Sequence, residues 1–344
     1  MTELYFTRCP VPTATTLAAR TGMLDAELAP LEVRIASLQA AGNEHLLPHH
    51  FDHGLPGLIR EGGNIPALWA RASSVPTRLV GVTWVDEYQV ILAARDSGIA
   101  GAADLAGRRI GLPRTQGRVV DIEHAMALRG FERALSLAAL TLEDVVPVEL
   151  DPVSIDVTRT GLGQESYAAA RVALAEGVVD AVWVKGAAGM RIRRELDAVV
   201  VSDLGAHPDP AMRINNGTPR TVTVHAELLE RRPEVVTRYL VGLLRAARWA
   251  ESGGSEVGAA LAAETGGSDG DVAAAYGRGP FVSFAPRLDD PVLDALRDQE
   301  RFLAGHGFVP APAGGSATWD EWVVTEPLRA AEKLVADARL EASA

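Results

Sequence analysis

The chain has 344 residues, 47% of them apolar and 23% charged, which is material for two globular domains of ordinary size. Its formal charge of −12 excludes a generally basic surface, so neither nucleic acid nor an anionic membrane is an expected partner. An anionic ligand would need a local positive charge to hold it.

The sequence opens MTELYFTRCPVPTATT, with no Lys/Arg-led apolar run and no small-residue cleavage site, so no signal peptide is expected. No stretch approaches the ~18 consecutive apolar residues of a spanning helix. A single cysteine cannot close an internal disulfide and suits a reducing compartment, which points to the cytoplasm. Residues 4–6 read as a first strand and 13–24 as a helix behind it. Further strands are expected at 31–38, 77–85, 88–95, 108–113, 145–150, 178–185 and 197–204, all short and rich in Val, Ile and Leu. Helical spacing marks 166–177, closed by Gly177, and 233–252, opened by Pro233. A loop and an amphipathic helix ended by Gly305 occupy 283–307. A Pro/Gly/Ser-rich linker follows over 309–318, then a short helical region from Trp319. Strands alternating with helices imply an α/β protein whose parallel sheets are covered on both faces.

Cys9 stands in TRCPVP at the end of the first strand, where open α/β sheets place their ligands. Pro10 and Pro12 would stiffen its turn, and a helix N-terminus or a cation nearby would activate the thiol. On residue type alone a small buried hydrophobe is the commoner role. Four of the eight histidines fall at 45, 49, 50 and 53. Pro48 disfavours the helix that would put His45 and His49 on one face, and no H-E-x-x-H pattern occurs, so no metal site is expected. A solvated loop is the expectation for His45, His49 and His53, and a less exposed place for His50 beside Phe51. Arg60 precedes Glu61 and the pair Gly62-Gly63; a guanidinium fork beside glycine N–H groups suits a small oxyanion. A surface Arg paired with a carboxylate is the alternative.

The phrases at 104–113 (DLAGRRIGLP), 140–151, 170–184 and 224–252, in that order, resemble the binding proteins of sulfonate, nitrate and thiamine-precursor importers. That resemblance implies a two-lobed periplasmic-binding-protein-like (type II) fold with a ligand cleft. Domain I would hold 1–95 and 205–344, and domain II 96–204. Cys9-Pro-Val-Pro, His50-Phe51, Arg60, Gly62-Gly63 and Ile65-Pro66 together resemble the aryl sulfinate desulfinases of bacterial dibenzothiophene desulfurisation. The likeness continues through 104–111, 284–296 and Gln299.

The desulfinase resemblance implies Cys9 as the essential thiol, His50 as its assisting imidazole, Arg60 as the sulfinate-binding cation and Gly63 as a backbone donor. Phe51, Leu55, Gly62 and Phe131 would complete the substrate site. Leu55 and His53 depart from family residues that are polar or aromatic, and so would reshape the organic part of the pocket. The implied reaction cleaves the C–S bond of an aromatic sulfinate and releases sulfite. The Cys9 thiol would protonate the ring carbon, or its thiolate would attack sulfur. Neither route requires a metal or an organic cofactor, and a monomer is expected. The alternative reading is a solute-binding protein for a sulfonate or similar organic anion.

Overall fold

The computed structural model describes residues 2–9, 11–115, 118–153, 167–277, 282–310 and 317–343. Among the described residues run eleven strands: β1 (Thr2–Phe6), β2 (Val33–Ser37), β3 (Leu58–Gly63), β4 (Thr77–Val85), β5 (Gln89–Ala93), β6 (Arg109–Thr115), β7 (Val146–Val153), β8 (Ala181–Lys185), β9 (Val199–Asp203), β10 (Arg220–His225) and β11 (Val282–Arg287). The first five α-helices are α1 (Ala14–Arg20), α2 (Met23–Leu28), α3 (His49–Asp52), α4 (Asn64–Ala72) and α5 (Ile122–Ser136).

The chain divides into two compact units, Met1–Val85 with Pro219–Glu264 and Ser283–Ala344, and Asp86–Thr218 with Thr265–Val282. The strand expected at 88–95 belongs to the second of these, because β5 is hydrogen-bonded between β8 and β9. The division therefore falls at Val85, earlier than residue 95, and the chain re-enters the second unit over 265–282.

Both sheets are mixed, where parallel ones were expected. In the larger unit the order is β11-β4-β10-β3-β1-β2, with β1 parallel to β2 and β3 but β10 antiparallel to β3 and β4. The smaller unit has the order β7-β6-β8-β5-β9, with β5 antiparallel to both neighbours. β10 in one sheet and β5 in the other, each antiparallel to both neighbours, are strands that the chain enters on arriving from the other unit.

The expected helix at 13–24 is two helices. Gly22 at φ 73° interrupts it, a left-handed conformation that glycine adopts without a Cβ clash. One face of the larger sheet packs Ile59, Val222 and Val224 against Leu17 of α1 and against Tyr239 and Leu240 of the helix Pro233–Glu251. In the smaller unit Phe131 of α5 is fully buried, and Trp183 of β8 packs so close to Gly130 that a methyl group there would collide with its indole. The start of the expected helix at 166–177 and most of the linker at 309–318 lie outside the described residues. Among the described residues no helix is long and apolar enough to cross a membrane.

Candidate active site

The site is built on the alternation of β3. Successive side chains of a strand point to opposite faces, so Ile59 and Glu61 share one face and Arg60 and Gly62 the other. Ile59 belongs to the core described above, which assigns Glu61 to the helix side. There its carboxylate accepts from Ala14 N at 3.2 Å, Thr15 N at 2.7 Å and the Thr83 hydroxyl at 2.9 Å. The first N–H groups of α1 are thus satisfied from within the chain. They do not supply the anion site expected of a helix N-terminus. Glu61 also leaves Arg60 without the carboxylate partner that adjacency in sequence suggested.

Arg60 is 2% exposed and is no surface residue. Its Nε donates to the His50 carbonyl at 3.0 Å, and its Nη1 to the Gly63 carbonyl at 2.9 Å. Desolvation lowers the guanidinium pKa below the usual 12.5, an effect opposed in part by the nearby Cys9 sulfur. An arginine remains a cation under such a shift. The Gly63 carbonyl thereby helps to hold the guanidinium in place.

β1 lies parallel to β3, with Phe6 opposite Ile59, so the chain leaving β1 carries Cys9 up to the level of Gly62. Cys9 is buried, its Sγ 3.5 Å from the Glu61 carbonyl and 4.0 Å from His50 Nε2. Gly62 makes this approach possible. A methyl group there would collide with Cys9 Sγ and stand 3.3 Å from both terminal guanidinium nitrogens of Arg60. Thiol, imidazole and guanidinium therefore converge over a residue that must lack a side chain. Pro10 lies outside the described residues; Thr13 caps α1 by accepting from Thr16 N at 3.1 Å.

The histidine tract separates into different environments. His45 is exposed, and His49 pairs with Asp52 at 2.8 Å. His50 is buried with its ring edge-on to Phe51, centroids 4.6 Å apart. His53 is not in a solvated loop as expected. It ends α3 at φ 58°, and this left-handed turn brings its side chain inward, where Nδ1 lies 3.4 Å from the Thr223 hydroxyl. Burial, then the charges of Arg60 and His50, hold the His53 pKa well below 6.5. Phe51 and Leu55 are half-buried. Phe131 lies inside the other unit, fully enclosed.

Sequence reasoning passed over Glu61 and the two β10 threonines. A carboxylate between an arginine and a glycine pair, in a stretch too apolar at its start for a loop, was the available signal for Glu61.

No protein-family model matches the chain. Its sequence is 29% identical to a 2'-hydroxybiphenyl-2-sulfinate desulfinase of Rhodococcus erythropolis, an alignment covering 94% of this chain and 92% of that one. The crystal structure of the desulfurization enzyme DszB superposes with a TM-score of 0.75 at 26% identity, covering 97% of this chain and 99% of that chain. A cysteine-to-serine mutant of DszB in complex with biphenyl-2-sulfinic acid gives 0.72, also at 26% identity, over 96% of this chain and 99% of that chain. A periplasmic sulfonate-binding protein from Methylobacillus flagellatus KT shares the fold at 15% identity, with a TM-score of 0.71 over 98% and 95% of the two chains. In sequence and in fold, over nearly its whole length, the chain is similar to the 2'-hydroxybiphenyl-2-sulfinate desulfinases and shares the two-lobed architecture of periplasmic sulfonate-binding proteins.

Proposed function

We propose that this protein is an aryl sulfinate desulfinase that hydrolyses a C–S bond and releases sulfite, with Cys9, His50 and Arg60 as its catalytic residues. The observation that carries the reading is the convergence of these three side chains over Gly62. The relatives' named substrate, 2'-hydroxybiphenyl-2-sulfinate, and the biphenyl-2-sulfinic acid bound to DszB supply the substrate class.

Arg60 is fixed by two carbonyls before any substrate arrives, and its fork matches the two oxygens of a sulfinate. The Glu61 carbonyl, 3.5 Å from Cys9 Sγ, is an acceptor to which a thiol can donate, and a thiol held there can act as a general acid. In the resulting sequence the thiol protonates the ring carbon, and the C–S electron pair stays with that carbon. Sulfur departs at the level of sulfur dioxide, and water converts it to bisulfite. The proton released in that hydration returns to the Cys9 thiolate through His50. The sum is aryl sulfinate plus water giving arene plus bisulfite. Phe51 and Leu55, half-buried at the end of α3, would contact the aromatic part. A cytoplasmic location, with the thiol kept reduced, and a monomer complete the reading.

The test is sulfite release from a panel of aryl sulfinates by the native protein and by Cys9→Ser. Loss of at least roughly a thousandfold in kcat, with an unchanged unfolding midpoint, is the expected result. A serine variant of undiminished rate would end the thiol mechanism. Tight sulfonate binding without turnover of any sulfinate would favour a carrier instead.

A further inference from the structure

On the Arg60 face of the larger unit's sheet, two buried polar groups have no part in the chemistry above. Thr221 and Thr223 stand opposite Gly62 and Arg60 on β10, and being two residues apart they share that face. Thr221 is fully buried, and its hydroxyl has no hydrogen-bond partner among the described residues. The Thr223 hydroxyl meets one edge of the His53 ring at Nδ1. His53 is 3% exposed, and its Nε2, on the other edge, also lacks a partner among the described residues. Buried donors and acceptors left unpaired are costly, and folded proteins keep few of them without a use.

The chemistry of the pair limits what it can bind. Burial and the neighbouring charges keep His53 neutral, so one ring nitrogen donates and the other accepts. A neutral imidazole and a threonine hydroxyl bring no charge to balance an anion, and Arg60 already serves the sulfinate. A hydroxyl can donate to one partner while accepting from the other, so it suits His53 in either tautomer. We propose that His53 Nε2 and the Thr221 hydroxyl form the polar end of the substrate pocket and bind a hydroxyl carried on the organic part of the sulfinate. Paired residues of antiparallel strands stand roughly 5 Å apart, so Thr221 lies beside Gly62, over which Cys9 and Arg60 meet. The hydroxyl must therefore sit close to the sulfinate in space. A biaryl with sulfinate and hydroxyl ortho to the ring–ring bond, one on each ring, meets that requirement by rotation about that bond. His53 and Thr221 are thereby specificity residues, and the inference rests on the desulfinase reading.

The experiment compares kcat/KM for sulfite release from 2'-hydroxybiphenyl-2-sulfinate and from biphenyl-2-sulfinate. The native protein is expected to prefer the hydroxylated substrate by roughly tenfold to a hundredfold. His53→Phe and Thr221→Val are each expected to shrink that ratio several-fold. His53→Asn, which tolerates the positive φ and keeps a hydrogen-bonding group, should restore part of it. Thr221→Val is nearly isosteric and carries the test should the histidine variant fail to fold. A native protein that does not distinguish the two substrates would overturn the proposal, as would variants that slow both equally. Absence of sulfite from either substrate with the native protein would overturn the desulfinase reading itself.

Discussion

Two faces of one six-residue strand divide the work of this protein. On the helix side of β3, Ile59 enters the core and Glu61 ties α1 and β4 to the strand through three accepted hydrogen bonds. On the opposite side Arg60 is spread along its own strand and Cys9 rests on Gly62. Both faces bury a charge, but in opposite ways. Glu61 receives donors from elements distant in sequence and holds them together. Arg60 spends two of its five N–H groups on nearby carbonyls, and its fork lies beside the thiol. A sheet plane thus separates a charge that supports the fold from one that, in the proposed function, binds the sulfinate, although the two are neighbours in sequence.

Substitutions on either face test that separation. Gly62→Ala should have the largest effect. The added methyl must displace Cys9 Sγ, and a shift of about 1 Å at a reacting atom costs on the order of a hundredfold in rate. Steady-state sulfite release measures it, and an alanine variant of native rate would detach Cys9 from the geometry described. Glu61→Gln should act on stability instead. An amide offers N–H where three donors converge, at a cost of about 2–3 kcal/mol read from urea unfolding. A fall in kcat without loss of stability would show that the faces are not independent.

The smallest effect concerns pH. His53 titrates near 6.5 when unfolded and well below that when folded, so the unfolded chain binds the extra proton as pH drops under 6.5. Stability is then lost on acidification through that range, by at most about 1.4 kcal/mol per pH unit from this group. His124 and His225 are shifted in the same direction. His53→Asn is expected to reduce the slope of unfolding free energy between pH 6.5 and 5 without flattening it. An unchanged slope would mean that His53 is already protonated in the fold.

The Val/Ile-rich strands β2 and β4 to β9 were legible in the sequence because local composition reports them. β3 and β10, which carry the site, were not. LIREGG has neither alternation nor any β-branched residue besides Ile59, since its remaining positions answer to a carboxylate tether, a guanidinium and a close approach of sulfur. RTVTVH does alternate, and its threonines could have been read as strand residues facing a polar interior. Cys9, His50 and Arg60 stood out by residue type and spacing, together with the family resemblance. That His53 turns inward depends on a single left-handed residue, which no periodicity announces. The pairing of Glu61 with α1 rather than with Arg60 is a tertiary choice set by strand alternation.

The tethering of Arg60 to the carbonyls of His50 and Gly63 bears on how such a protein could acquire new substrates. A free arginine loses roughly 2 kcal/mol of rotamer entropy when an anion immobilises it, and here folding has already met much of that cost. Under the proposed function, recognition of the acid group is then largely indifferent to what the acid is attached to. Diversification can proceed at Phe51 and Leu55, half-buried at the end of a four-residue helix, while the reactive centre stays unaltered.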